Sequence, residues 1–110
     1  MDEREFNACA DAMLVRIEQA LEKSGGDLDF EVKQGGVLEL GFANGSKIII
    51  NRHTAAREIW IAAKSGGYHF KADSSDGSRW ISARDGGELL SVLTRCIAEQ
   101  SGVAIRLAET

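Results

Sequence analysis

The chain has 110 residues, 44% of them hydrophobic, which suits one domain with a single core, so we expect residues 1–110 to form one domain. Residues 1–31 hold nine acids and three bases, a charge of −6, while the remainder holds eight acids and ten bases, a charge of +2, so the excess negative charge behind the net −4 lies at the N-terminal end. That acidic end favours a cationic partner over nucleic acid, and the lack of any apolar run near the roughly 18 residues of a membrane span predicts a soluble, cytoplasmic protein with no membrane partner.

The first predicted element is an amphipathic helix. Asp2 and Glu5 have the spacing of a capping box, and Ser24 with the two following glycines marks the end of the helix. Between these points, apolar residues recur at helical spacing at Phe6, Ala10, Met13, Leu14, Ile17 and Leu21. This single apolar face is expected to pack on a sheet.

Six antiparallel strands are predicted next. Residues 27–33 alternate, which places Leu28, Phe30 and Val32 on the inner face and the charged residues on the outer face. Asn44-Gly45 indicates a hairpin between the second and third strands. The inner face continues through Leu38, Leu40, Phe42, Ile48, Ile50, Ile59 and Ile61, and further strands are predicted at residues 68–71 and around residues 80–81.

A second helix follows the sheet. Asp85 and Glu88 repeat the capping-box spacing, the apolar residues from Leu89 to Ala98 form one face, and Gly102 ends the helix. Because each helix has one apolar face, both should lie on the same face of the sheet. The predicted fold is α+β, a two-layer sandwich of two helices on a roughly six-stranded antiparallel sheet. Residues 103–110 either pack against the helices or fray.

Acidic residues are the first candidate for chemistry. Asp11, Glu18 and Glu22 fall on one side of the first helix, beside its apolar face. Outward-facing acids continue on the next strand at Asp27, Asp29 and Glu31. Such hard oxygen ligands bind iron, calcium or manganese weakly when they lie on an open surface. From the residues alone, a solvated face that keeps the protein soluble is the preferred interpretation.

Trp60 is the second candidate. Strand parity puts it on the face of the sheet away from the helices, where it is either an exposed contact residue or a tryptophan covered by its neighbours. His53 is expected in a loop, and His69 is expected to face outward on its strand. Each could be an auxiliary iron ligand, but an ordinary surface histidine is the preferred interpretation. Cys9 and Cys96 lack CxxC spacing and are interpreted as buried thiols.

The strand segments carry a family resemblance. Residues 35–70, with Asn44-Gly45 in the hairpin and Trp60 midway along a later strand, resemble the central sheet of the frataxin family in its bacterial form. The resemblance covers nearly the whole chain. It implies a non-enzymatic, iron-binding accessory protein of iron–sulfur cluster assembly, with iron (Fe²⁺ or Fe³⁺) held weakly at the surface. By position, the matching metal residues are Asp11, Glu18, Glu22, Asp27, Asp29 and Glu31.

The same resemblance implies protein partners. It assigns contacts with a cysteine desulfurase and an iron–sulfur scaffold protein to Trp60, Asn51, Arg52, Glu18 and Glu22, with the protein acting as an iron carrier or an iron-dependent regulator. The sequence departs from the family at Gln19 and Lys23, where bacterial relatives often have acids, and in the loop 53–56, which lacks the usual proline. Iron affinity is therefore expected to be lower than in the most acidic relatives.

Two other functions stay open on the sequence. One is a weak ferroxidase or iron-storage protein that uses the same carboxylates. The other is a metal-independent adaptor that binds protein through the face around Trp60. A monomer is expected without metal, and whether iron drives oligomers is left open, as is whether Trp60 and the acids contact one partner.

Overall fold

Two helices cover one face of a single antiparallel sheet in the computed structural model, which describes residues 2–24, 28–102 and 107. The six strands neighbour one another in chain order, from β1 at one edge to β6 at the other. The predicted α+β sandwich is confirmed. The elements are α1 (Glu3–Lys23), β1 (Asp29–Lys33), β2 (Val37–Gly41), β3 (Lys47–His53), a 3₁₀ turn (Thr54–Ala56), β4 (Glu58–Ala63), β5 (Gly66–Ala72), β6 (Trp80–Ser82) and α2 (Leu89–Ser101).

The start of α1 follows from its first residues. The Asp2 carboxylate accepts the backbone N–H of Glu5 at 2.8 Å, which satisfies a donor that the helix itself leaves unpaired. The predicted apolar face is buried at Phe6, Ala10, Met13, Ile17 and Leu21, and Leu14 is half-buried. The predicted cap and inner face of α1 are therefore confirmed.

The predicted capping box of α2 is wrong. Its N-cap is Glu88, which makes no side-chain capping bond, and the Asp85 carboxylate instead accepts the N–H of Gly87 at 3.0 Å. The chain turns at Gly86, with φ of 76°, so Asp85 closes a turn ahead of the helix. The other end is as predicted, because Gly102 adopts φ of 74° and donates its N–H to the Ala98 carbonyl at 2.9 Å.

Strand parity predicts the core correctly except at the edge. The inner residues Leu38, Leu40, Phe42, Ile48, Ile50, Ile59 and Ile61 are all buried. Val32, which should continue this face, is 61% exposed. It belongs to edge strand β1 and lines an open groove beside α1, so none of the helices and strands that the structure describes covers it, and its predicted burial is wrong. Leu28 and Phe30 are half-buried.

Gln100 holds the end of α2 on the sheet. Its side-chain amide donates to the Lys47 carbonyl at 3.2 Å and to Ser46 Oγ at 3.1 Å, and its oxygen accepts the N–H of Lys64 at 2.7 Å. Its own carbonyl accepts the Asn44 side chain at 2.7 Å. One buried glutamine thus joins α2 to two turns at the same end of the sheet.

The remaining predictions concern the cysteines, the tail and the membrane. Cys96 is buried and Cys9 half-buried, and both thiols are free, so the predicted burial holds fully for Cys96 alone. Of the tail, the structure describes only Leu107, which packs against the core. Within residues 2–24, 28–102 and 107, neither helix is both long and apolar enough to cross a membrane.

Candidate functional site

The acidic surface comprises Asp11, Glu18 and Glu22 of α1 with Asp29 and Glu31 of β1; Asp27, predicted to join it, lies outside the described residues. Asp11 and Glu18 line the α1 wall of a groove whose other wall is the β1–β2 hairpin. Glu22, Asp29 and Glu31 are exposed. The fold therefore places acids from two consecutive elements at one edge of the molecule, with Asp11 and Glu18 in the groove on the helix side and Asp29 and Glu31 on the outer face beside Glu39.

Apolar side chains line this groove together with Asp11, Glu18 and Lys33. Leu14 and Val15 contribute from α1, and Val32 and Val37 from the hairpin. Val15 is 49% exposed, and Val32 is also exposed. Carboxylates thus lie beside uncovered aliphatic side chains, an arrangement that suits a surface for protein contact.

Asp11 is already paired. Its Oδ1 accepts a hydrogen bond from Nη1 of Arg52, whose side chain is only 22% exposed. Arg52 lies against the β1–β2 turn, where a side-chain carbon at Gly36 would come within 2.9 Å of Arg52 Cβ. Since a guanidinium already neutralises Asp11, this residue is less available to a metal ion than Glu18 or Glu22.

On the outer face of the sheet, two lysines lie at the border of the acidic surface. Glu39 of β2, opposite Glu31, accepts the ammonium groups of Lys33 at 2.7 Å and Lys47 at 2.8 Å. The hydrogen bond from Lys33, followed by that from Lys47, lowers the pKa of Glu39 to about 2. Beside the acids of β1, Glu39 on the next strand thus forms a charge-compensated cluster with Lys33 and Lys47.

No preformed metal cage appears in the part of the chain that the structure describes. In residues 2–24, 28–102 and 107, no three His, Cys, Asp or Glu side chains are grouped so that they could hold a metal ion. A cation at the acidic surface would keep most of its water and bind through one or two carboxylates at a time.

Trp60 lies between two histidines on the face of the sheet away from the helices. Its indole ring stacks on His53, with centroids 4.0 Å apart, and on His69, at 4.3 Å. Its Nε1–H donates to Glu58 Oε1 at 2.8 Å. Both ring faces are thus covered and the residue is half-buried, which matches the covered alternative more closely than a free exposed tryptophan.

The structure separates the predicted partner-binding residues. Asn51 pairs with Trp60 in the β3–β4 register, and Trp60 pairs with His69 across β4 and β5, so these three share the outer face. Arg52 pairs with Ile59 and points to the helix side, where it meets Asp11. Arg52 and Trp60 therefore cannot contribute to one flat contact surface.

The sequence interpretation missed the two histidines as neighbours of Trp60. His69 lies directly opposite Trp60 in the antiparallel β4–β5 register. His53 comes two residues after Asn51 in β3, so its side chain lies on the same face of the sheet as those of Asn51 and Trp60. Pairing the predicted strands residue by residue would have found both. The prediction that His69 faces outward is confirmed, since 51% of its side chain is exposed.

Known proteins resemble this chain over most of its length. Residues 1–103 match the family model described as a frataxin-like domain. A protein of Dechloromonas aromatica (strain RCB), named iron-sulfur cluster assembly protein CyaY, is 51% identical over 107 residues, covering 97% of this chain and 99% of the relative. A protein of the same name from Vibrio cholerae serotype O1 (strain M66-2) is 52% identical over 93 residues, covering 84% and 86%.

A solved structure agrees with these sequence matches. The frataxin from Psychromonas ingrahamii, studied for stability modulation within the CyaY protein family, superimposes with a TM-score of 0.87 at 33% identity, covering 99% of this chain and 100% of that one. Its likeness extends across both helices and the whole sheet. The chain belongs to the frataxin family.

Proposed function

We propose that this protein is an iron-binding accessory protein of iron–sulfur cluster assembly, working in the cytoplasm by binding rather than by catalysis. The observation that carries the proposal is the 51% identity, over 97% of the chain, to a relative named for that assembly. The exposed acids at one edge of the fold supply a surface on which iron can be held.

Iron would bind mainly through Glu18, Glu22, Asp29 and Glu31. These carboxylates are hard oxygen donors, and three of them are well exposed, so an incoming Fe²⁺ or Fe³⁺ ion keeps much of its hydration shell. Asp11 should contribute less because Arg52 already occupies its carboxylate. Binding is weak and reversible on this account, as a carrier or sensor requires.

Docking on the cysteine desulfurase and its scaffold protein would use both faces. The acidic surface steers toward a basic patch, and bound cations reduce its negative field, which couples the iron level to docking. The outer face around Trp60 and Asn51 offers a second contact, on the opposite side of the sheet from Arg52. Two faces suit a protein that bridges two components of one complex.

Anaerobic Fe²⁺ titration of ¹⁵N-labelled protein, followed by NMR, tests the iron site. The variant Glu18→Gln/Glu22→Gln removes two carboxylates from the acidic surface, and Glu3→Gln/Glu99→Gln is a control that removes one exposed acid from the first turn of α1 and one from α2, outside that surface. Fe²⁺ should broaden the amides of α1 and β1 in the wild type and control but much less in the test variant. Equal broadening in all three proteins, or none on α1 and β1, would contradict the proposal.

A metal-independent adaptor is the second candidate. It is favoured by the aligned Asn51, Trp60 and His69, which lie on the face of the sheet away from α1 and α2. The discriminating measurement is binding of the purified desulfurase–scaffold complex in the presence of a chelator. Binding that needs Trp60 and ignores both iron and the α1 acids would favour the adaptor over the iron protein.

A further inference from the structure

Glu58 and His69 approach each other on adjacent strands, on the side of the sheet away from the helices. Glu58 Oε1 lies 3.6 Å from His69 Nδ1. The same carboxylate oxygen accepts the Trp60 Nε1–H, and the His69 ring is within 5° of parallel to the indole. Trp60 therefore orients the Glu58 carboxylate and the His69 imidazole in the absence of any bound molecule or ion.

The separation of these two atoms suits a metal ion better than a direct bond. At 3.6 Å, nitrogen and oxygen are too far apart for a good hydrogen bond. Two ligand atoms bound at about 2.1 Å to a tetrahedral ion lie about 3.4 Å from each other. A small ion can thus enter between them with little movement of either side chain.

The surroundings favour a cation. The pair lines an open cavity of about 300 Å³ that also contains Asp85 and Arg84, so two carboxylates face one guanidinium. The Glu58 side chain is only 13% exposed while that of His69 is 51% exposed, which leaves the imidazole accessible and the carboxylate shielded.

We propose that His69 Nδ1 and Glu58 Oε1 together bind a late first-row divalent metal ion such as Zn²⁺, with water completing its coordination. Mixed imidazole and carboxylate donors suit these ions, and two protein ligands make the site weaker than a structural zinc site. The inference does not depend on the proposed function, because it uses none of the acids of α1 and β1.

His53 contacts Trp60 as His69 does, but its Nδ1 is not available to a metal ion. It stacks on the other face of the same indole, but its Nδ1 accepts the backbone N–H of Ala56 at 3.3 Å and so is already engaged. The chain contains only these two histidines. Imidazole NMR signals can therefore be assigned to one or the other without ambiguity.

The test is Zn²⁺ titration of the full-length ¹⁵N-labelled protein, followed through the histidine ring nitrogens and the Trp60 indole N–H. We expect saturable shifts at His69 and Trp60, with His53 unchanged. Glu58→Gln, whose amide oxygen can still accept the indole N–H, should weaken Zn²⁺ binding at least about tenfold, since even outer-shell partners of metal ligands are worth that much. His69→Phe, which keeps a stacked ring, should abolish binding, and His53→Phe should preserve it.

Equal shifts at both histidines, or unchanged Zn²⁺ binding by Glu58→Gln or His69→Phe, would overturn the proposal. The variant Glu18→Gln/Glu22→Gln separates this inference from the iron function. It should bind Zn²⁺ at His69 as tightly as the wild type, whatever its response to Fe²⁺. Loss of Zn²⁺ binding at His69 in the Glu18→Gln/Glu22→Gln variant would also contradict the proposed zinc site.

Discussion

Arg52 of β3 donates a hydrogen bond to Asp11 of α1 and thereby joins the sheet to the first helix at the edge of the acidic groove. The two residues are 41 positions apart in the chain. One was expected to bind metal and the other to bind a partner, and the structure shows them bound to each other.

Removing the Asp11 carboxylate should destabilise the fold slightly. Asp11→Asn leaves the mostly covered Arg52 guanidinium without its anionic partner, so we expect a loss of about 1 kcal/mol, at the upper end for a partly exposed ion pair. Urea denaturation measures it. Glu18→Gln, in the same groove but without an ion pair among the described residues, should cost less, and equal losses would mean that the Arg52 contact contributes nothing.

Loss of the Gln100 side chain should cost more. Gln100→Ala removes three hydrogen bonds and leaves the Lys64 N–H and Lys47 carbonyl to find other partners, which should lower the free energy of unfolding by about 2 kcal/mol. The exposed neighbour Glu99 provides the control, because Glu99→Ala should change stability by less than about 0.5 kcal/mol. Similar values for both variants would contradict the anchoring role.

Val32 should tolerate truncation although it follows the inward alternation of its strand. Because its side chain is mostly exposed, Val32→Ala should cost less than about 0.5 kcal/mol. The buried Val92 of α2, only 5% exposed, is the matched site, and Val92→Ala should cost about 1–2 kcal/mol through lost burial and a residual cavity. A large loss at Val32 would show that the groove is covered in solution.

Glu39 should make folding sensitive to acid. Its pKa falls from 4.5 to about 2 in the folded chain because Lys33 and Lys47 hydrogen-bond to it. A depressed folded-state pKa contributes stability above the unfolded value, and that contribution is lost as the pH falls from about 4.5 toward 2. The wild type should therefore lose stability more steeply than Glu39→Gln in this window, and a carboxyl titration midpoint near 4.5 for Glu39 would refute the pairing.

Charge reversal should weaken docking if the proposed function holds. Glu18→Lys/Glu22→Lys inverts the field of the acidic surface, so affinity for the purified desulfurase–scaffold complex should fall about tenfold or more at low salt, chiefly through slower association. The control Glu3→Lys/Glu99→Lys makes the same change in net charge outside the acidic surface, in the first turn of α1 and in α2. Association that is independent of salt, or equally weakened by both pairs, would argue against steering by these acids.

Local signals in the sequence were reliable where the structure they predict is also local. The cap at Asp2, the left-handed stop at Gly102 and the alternation of β2, β3 and β4 depend on neighbours within a few residues, and all are confirmed. The predicted cap at Asp85 was wrong because another local feature, a turn, lies between it and the helix. Its spacing to Glu88 was right, but an intervening turn at Gly86 redirected the carboxylate to the N–H of Gly87.

Hydrophobic periodicity by itself determined the two-layer fold and the face on which Trp60 must lie, because period and parity follow directly from backbone geometry. Only the tertiary structure decided that Val32 lies beyond the helical layer, that Asp11 is paired with Arg52, and that Trp60 is enclosed by two histidines. Those outcomes depend on how far α1 extends over the sheet and on distances of a few ångströms between elements far apart in the chain, which no local pattern encodes.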